Sequence, residues 1–445
     1  MKAIIIGGVA AGMSAASKLK RTVPSAQINV YERGSFLSYG ACGIPYYVGG
    51  VNDDPNLLIA RSREDFEKQG IRTFLRHEVI GLDASRRVVQ IRDLDQGQVF
   101  EDSYDKLMIA VGCDSVVLPI PGADLPGVFY LKSMEDGLLL EKILSLPNVR
   151  SAVIVGGGYI GVEMAEALLE RKLSVTLIEA ADRLLTPFEP AFSELSAQEL
   201  AREGVQLRLG EKVSAIEARG NERGVHTGSA AYGADVVIMC AGVVPATDFL
   251  RDSGLTMARN GAIEVDRQMR TSLNDVYAAG DCAVVYNRIT GEDFFLPLGT
   301  VANKCGRIAG GNMAGEREEF IGALGTAAIK VCGLEMARTG MSEQDAKRTG
   351  TAYATNTVKV FNHPAYYPGR QELTIQLLWE QGTKRLLGAN VAGPYGSGAV
   401  LRADMFAIAI HTGMTTDELG MVDLTYAPPF SSVWDAVHIA ANAAK

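Results

Sequence analysis

The stretch SAVIVGGGYIGVEMAEALLERKLSVTLIEAADRLL, residues 151–185, decides how this chain must fold. An apolar, β-branched run leads into Gly156, Gly158 and Gly161, which complete the pattern G-x-G-x-x-G. A helical pattern follows, then a second apolar run that ends in Glu179. Short continuous apolar runs bounded by turns read as parallel strands buried on both faces. The glycines allow a tight turn and close backbone approach to a pyrophosphate, which the N-terminus of the next helix attracts. The spacing predicts a βαβ unit that binds a dinucleotide, with Tyr159 and Ile160 opening the helix beside the cofactor. Glu179 is placed to accept from a ribose 2′-hydroxyl and to repel a 2′-phosphate. That favours NADH over NADPH, although Arg183 nearby offers a cation for a phosphate.

The same layout opens the chain. KAIIIGGVAAGMSAASKLKR carries a β-branched run at 3–6, then a turn with Gly7, Gly8 and Gly12. Ala10 and Ala11 begin the helix, and a second apolar run, 28–31, ends in Glu32 followed by Arg33. Val9 stands where the middle glycine of the motif belongs. Two dinucleotide sites about 150 residues apart suggest two dinucleotides meeting face to face, a flavin and a nicotinamide.

Three further segments fit such a site. Residues 104–115, YDKLMIAVGCDS, form a strand ending at Ala110 and Gly112, where backbone can approach a cofactor closely. Residues 236–247, VVIMCAGVVPAT, are a similar strand with Gly242 and Pro245. Residues 274–283, NDVYAAGDCA, run into Gly280 and Asp281, an acid at a strand end beside a helix start that can bind the ribityl or phosphate region. Val79 and Ala302 are assigned to the same cofactor site.

Composition excludes several classes. A chain of 445 residues exceeds one ordinary core, so two or three domains are expected. Hydrophobic content of 47% with 21% charged residues is that of a soluble globular protein. A net charge of −9 argues against a nucleic-acid surface. The six cysteines are scattered singly, without CxxC or metal-ligand spacing. That predicts no metal site and a reduced, cytoplasmic setting. The N-terminal apolar run is cut short by Gly7 and Gly8, so no signal peptide is expected. No segment has the length of a membrane span.

Residues 35–50, SFLSYGACGIPYYVGG, hold one cysteine, Cys42, among small residues. With GGGYIG and GDCA, this stretch resembles the FAD-dependent pyridine nucleotide-disulfide oxidoreductases, and the likeness runs over essentially the whole chain. In enzymes of that family with a redox disulfide, a second cysteine follows five residues after the first. Here that position is Tyr47. The stretch is instead similar to the single-cysteine branch: coenzyme A-disulfide reductases, NADH oxidases and peroxidases, and persulfide reductases. The oxidases and peroxidases carry an active-site histidine in the first glycine turn, where this chain has Ala10. Its five histidines lie elsewhere.

The C-terminal third resembles the coenzyme A-disulfide reductases in NHPAYYPGR (362–370) and DLTYAPPFSSVWDAV (423–437). The resemblance implies that Tyr366 and Tyr426 reach the cysteine of a partner subunit in a homodimer, as proton donors. Read from the residues alone, they are a packing aromatic and a turn residue. The resemblance also implies Lys18 and Arg21 as cations for coenzyme A phosphates. Lys20, Arg61, Arg63 and Lys68 read as solvated charges. Some persulfide reductases of the branch carry a rhodanese-like domain that this chain lacks, which inclines the reading away from a persulfide.

The implied fold is α/β: two Rossmann-like dinucleotide-binding domains, for FAD and NAD, plus a C-terminal α+β dimerisation domain. The expected parts are an FAD domain at 1–118 and 246–322, an NAD(P)H domain at 119–245, and the dimerisation domain at 323–445. In the last, strands are expected at 372–379 and 386–391 and a helix at 399–411. The implied chemistry passes electrons from NAD(P)H through FAD to a sulfur on Cys42, which reduces coenzyme A disulfide to the thiol. Ser38, taken as one helical turn before Cys42, would bond the sulfur or the ligand and touch the flavin. A helix N-terminus at Cys42, beside an electron-poor flavin, would lower its pKa. Tyr159 would cover the flavin, and Glu163 would orient the nicotinamide amide. Two alternatives stay open: an NADH oxidase or persulfide (polysulfide) reductase using the same cysteine, and a redox-sensing flavin-binding module.

Overall fold

The structure, a computed structural model, describes every residue except Asn221. Strand Lys2–Ile6 pairs in parallel with Gln27–Tyr31 on one side and with Lys106–Ile109 on the other. Ile71–Phe74 and Val276–Ala278 extend the sheet at its two edges, also in parallel. Ile4, Ile5, Val30, Leu107 and Met108 are fully buried. Both faces are therefore covered, which is why these strands read as unbroken apolar runs.

Helix Ala10–Thr22 lies on this sheet, and helix Gly299–Met313 lies on the helix. Gly306 and Gly310 face the backbone of Ala11 and Ala15, and a Cβ at either would collide with a carbonyl there. The two helices touch backbone to backbone.

The second unit repeats the plan. Its parallel sheet runs Gln206–Leu209, Ser174–Glu179, Ser151–Val155, Val236–Met239, Val128–Tyr130. It lies between the strands Lys106–Ile109 and Val276–Ala278 in the chain, so one dinucleotide unit is inserted within the other. The short antiparallel pair of Cys113–Ser115 with Val243–Pro245 marks the way out and back.

The C-terminal unit is an antiparallel sheet in the order Ala327–Val331, Leu334–Gly340, Leu386–Pro394, Glu372–Glu380, Tyr353–Phe361. Helix Ala399–Thr412 covers it through Ala399, Ala403, Phe406 and Ile410. The expected strands and helix lie within these slightly longer elements. The helix leaves a second apolar stripe, Leu401, Met405 and Ile408, exposed to solvent. That spacing puts the three on one helical face, the pattern of a surface made to be covered. The chain is thus α/β with two Rossmann-like units and a C-terminal α+β unit. Among the described residues no helix is long and apolar enough to cross a membrane.

Candidate active site

The two glycine turns are built alike. Gly7, with φ +99°, sits against the Ala110 carbonyl, and Gly156, with φ +113°, against the Cys240 carbonyl. Gly12 and Gly161 lie on the carbonyls of Gly7 and Gly156, so each helix packs onto its own turn. Helix Ala10–Thr22 follows Val9, and helix Tyr159–Glu170 follows Gly158, in both cases without a side-chain cap. Their first N–H groups remain available to an anion. A Cβ at Gly158 would meet nothing within 4 Å, which leaves the second helix start open to a ligand. Val9 takes φ −107°, so the backbone does not need a glycine at the matching point of the first turn.

Each motif acid braces its turn. Glu32 accepts from the N–H groups of Gly8 and Gly34, both at 2.7 Å. Glu179 accepts from Gly157 at 2.5 Å and from Ala181 at 2.7 Å. Burial pushes the Glu32 carboxyl up, against the pull of those two N–H groups. A cleft opens beside it, lined by Gly7, Glu32, Arg33 and Val79. Arg33 is held by Asp114. Gly112 and Gly242, with φ +71° and +107°, turn the chain just beyond Ile109 and Met239, and Ala110 lies against Gly7.

Gly280 sits where two helices begin. A Cβ there would come 3.1 Å from the Ala11 methyl and 3.7 Å from that of Ala302. The next residue, Asp281, receives the Lys132 ammonium at 3.2 Å and the Cys113 thiol at 3.3 Å. No local motif singles out Lys132. It reaches the site only because strand Val128–Tyr130 delivers it from the other dinucleotide unit.

Cys42 is solvent-exposed, in a short turn, Ala41–Gly43, ahead of helix Ile44–Val48. Tyr47 is buried within that helix. The protein crowding Cys42 pushes its thiol pKa up, the Glu163 charge adds to this, and Lys132 opposes it. The protein's own groups thus run against the helix-terminus part of the expected lowering: a five-residue helix offers little dipole, and desolvation outweighs it. Glu163 is itself pushed up to about 7, by burial and then by Glu166. Tyr46, unremarked in the sequence, is another neighbour of this cluster. Burial, Glu163, Glu166 and Cys42 push its pKa up to about 12. Burial also pushes Tyr159 up to about 12, with its ring 6.1 Å from that of Phe188.

Ser38 is not a helical turn before Cys42. It takes φ +48°, its N–H donates to Gly8 at 2.9 Å, and its carbonyl accepts from Ala60 at 2.8 Å. Its backbone ties the cysteine segment to the first glycine turn.

The hydroxyls of Tyr366 and Tyr426 lie 3.0 Å apart. Both rings are open to solvent, at 72% and 46% exposure. The hydrogen bond to Tyr426 holds the Tyr366 pKa above the ordinary phenol value. The groups acting most strongly on Cys42 within this chain are Glu163, Lys132 and Asp281, and neither tyrosine is among them. Of the cations, Lys18 is held 2.8 Å from Glu316, and Arg21 is exposed on the last turn of its helix. Among the described residues no acid, histidine and cysteine group could hold a metal ion.

Residues 1–295 match the family described as pyridine nucleotide-disulphide oxidoreductase, and residues 326–437 match its dimerisation domain. The chain belongs to this family. It is 37% identical to the NAD(P)H sulfur oxidoreductase (CoA-dependent) of Pyrococcus furiosus, over 100% of this chain and 99% of that one. It is 28% identical to the coenzyme A disulfide reductase of Staphylococcus aureus, covering 100% of each. The water-forming NADH oxidase from Lactobacillus brevis, solved bound to NADH, is similar in structure, with a TM-score of 0.96 and 31% identity over 100% of this chain and 98% of that one. The protein is accordingly an oxidoreductase that uses FAD and a nicotinamide dinucleotide. Its residues fit an FAD: two uncapped helix starts, cradles at Gly7 and Gly280 that a Cβ would fill, and Glu32 fixed at the edge of the cleft.

Proposed function

We propose that this chain is an NAD(P)H-dependent reductase of coenzyme A disulfide, working through Cys42 as a homodimer. The observation that carries this is a solitary exposed sulfur. Cys113, Cys282 and Cys305 are buried, Cys240 and Cys332 are partly so, and Tyr47 fills the place of a resolving cysteine. A thiol without a partner in its own chain must take the second sulfur from a ligand.

Gly7, Gly12, Glu32, Gly280 and Asp281 hold the FAD, which when bound supplies two electrons drawn from the nicotinamide. The chain's own residues do the rest. Gly156, Gly158, Gly161 and Glu179 hold the nicotinamide dinucleotide, with Glu163, whose charge acts on Cys42, one helical turn after Tyr159. The Cys42 thiolate attacks one sulfur of coenzyme A disulfide, forming a mixed disulfide and expelling one coenzyme A thiolate. A tyrosine pair from a second copy delivers the proton to that leaving thiolate. Two-electron reduction then cleaves the mixed disulfide, releasing the second coenzyme A and restoring the Cys42 thiolate. The matching dimerisation domain and the exposed stripe of Leu401, Met405 and Ile408 support the second copy. Arg21 and Lys18 face the coenzyme A phosphates.

A second reading, reduction of a persulfide or polysulfide, is favoured by one contact. Lys18 is already neutralised by Glu316 and has Glu318 3.9 Å away. A phosphate would have to displace a carboxylate, whereas a short sulfur chain would not. The Pyrococcus furiosus relative, a sulfur oxidoreductase by name, is matched over nearly its whole length, which supports a sulfur substrate.

The test is anaerobic reduction of coenzyme A disulfide by NADH, together with the intact mass of the Cys42 peptide. Stoichiometric turnover that Cys42→Ser abolishes, with a coenzyme A adduct on Cys42, is the expected result. Full turnover by Cys42→Ser overturns the mechanism. An extra sulfur atom on the peptide selects the second reading, and added oxygen selects an oxidase.

A further inference from the structure

We propose that Arg402 is the positioning residue of the tyrosine pair, setting the geometry in which the two hydroxyls meet. This inference rests on the function proposed above. Arg402 lies on helix Ala399–Thr412 and is only 7% exposed. Its Nη2 donates to the Asn362 carbonyl at 3.2 Å and to the Phe430 carbonyl at 3.3 Å. Asn362 stands four residues before Tyr366, and Phe430 four residues after Tyr426. One guanidinium thus joins the two loops that carry the tyrosines.

Asp435, 5% exposed, fixes that guanidinium. It accepts from Nε at 3.0 Å and from Nη2 at 2.7 Å. The backbone N–H of Asp435 donates to Nδ1 of buried His438 at 3.1 Å, and the other ring nitrogen meets the Val422 carbonyl at 2.8 Å. Both ends of the Tyr426 loop are therefore pinned to one ring. Asn362 is braced in turn, donating to the Ser397 carbonyl at 3.2 Å.

The tyrosines themselves are exposed, and their rings gain little orientation from packing. Their hydroxyl separation is therefore set by the loop backbones beneath them. Nη2 shares its two N–H groups among the two carbonyls and one Asp435 oxygen, while Nε holds the other oxygen and so fixes the plane of the fork. An ammonium has no Nε to fix its orientation and cannot reproduce that geometry. A displacement of about 1 Å at a proton donor can cost about 10²-fold in rate.

The experiment uses the FAD-loaded dimer and reads two NADH-driven rates, with coenzyme A disulfide and with ferricyanide, which takes electrons without the tyrosines. Partial unfolding lowers both rates alike, so their ratio isolates positioning. For Arg402→Lys the ratio falls about tenfold or more, through kcat with KM for the disulfide changing less than about twofold. Adding Arg402→Lys to Tyr426→Phe then costs less than about twofold more, because the donor that Arg402 positions is already gone. An unchanged ratio in Arg402→Lys, or losses that multiply in full in the double variant, overturns the inference and leaves the proposed function standing. A parent ratio in Tyr426→Phe overturns both the inference and the tyrosine role. If Arg402→Lys does not fold, Asp435→Asn is read by the same ratio with the same outcomes.

Discussion

The phenolic oxygens of Tyr366 and Tyr426 meet at 3.0 Å across a separation of sixty residues. A pair of phenols shares two protons, and one is committed to the bond between them. The other is free to leave the pair, so the unit works as a single donor with a built-in orienting partner.

Tyr426→Phe and Tyr366→Phe should each slow reduction of coenzyme A disulfide, by about 10²-fold, the lower end for a general acid, since a thiolate leaves readily. The double variant should be scarcely worse than the poorer single one, because both lose the same shared bond. Steady-state rates of the three variants check this, and multiplicative losses would count against the pair as a unit.

Glu163 and Cys42 are coupled in pH. Glu163 is pushed up to about 7, so above that pH its charge bears on the thiol and raises the Cys42 pKa further. Glu163→Gln removes the charge, the thiol pKa falls, and iodoacetamide labelling of Cys42 at pH 8 quickens. Near pH 5, where the carboxyl is already neutral, the two proteins should react alike. The same shift bears on stability. The folded protein holds the Glu163 proton up to about 7, whereas the unfolded chain releases it near the ordinary carboxylate value. Stability therefore declines as pH rises across that window in the parent, and this contribution vanishes in Glu163→Gln. Melting curves at pH 5 and 8 would show it.

Glu316→Gln should free Lys18. The pair is partly exposed, at 13% for the lysine and 32% for the acid, so it is worth about 0–1 kcal/mol. KM for coenzyme A disulfide should fall up to about fivefold with kcat unchanged, and KM for polysulfide should not move. A drop in both would show that Lys18 does not face the phosphates.

Glu179, held by two backbone N–H groups, cannot swing away from a 2′-phosphate. Catalytic efficiency should be higher with NADH than with NADPH, and Glu179→Ala should narrow the gap. A steady-state preference for NADPH in the parent would overturn this.

The sheets were legible because their strands are buried on both faces, which writes them as apolar runs between glycine turns. The roles proposed for Cys42, Tyr366 and Tyr426 come only through resemblance, since nothing in their own segments distinguishes them from turn and packing residues. Lys132 escaped because it reaches the cysteine from a separate part of the fold, and Tyr46, four residues after Cys42, because its own segment gives it no mark beyond that of a packing aromatic. Ser38 was misplaced because a left-handed backbone at a serine leaves no mark in the residue type. The upward pull on the Cys42 pKa was hidden for the same reason as Lys132: desolvation by the surrounding protein and the Glu163 charge come from packing between units.

The backbone contact of Gly306 and Gly310 with Ala11 and Ala15 has a bearing on how the protein is made. The first helix leaves the ribosome early, but the helix that seats on it and the edge strand Val276–Ala278 are translated only after the inserted unit. At about 5–20 residues per second, the first strands wait about 10–40 s for their partners. During synthesis the nicotinamide unit can close first while the flavin unit stands half-built, with an unpaired edge on Lys106–Ile109. That edge is the point of the nascent chain most in need of shielding.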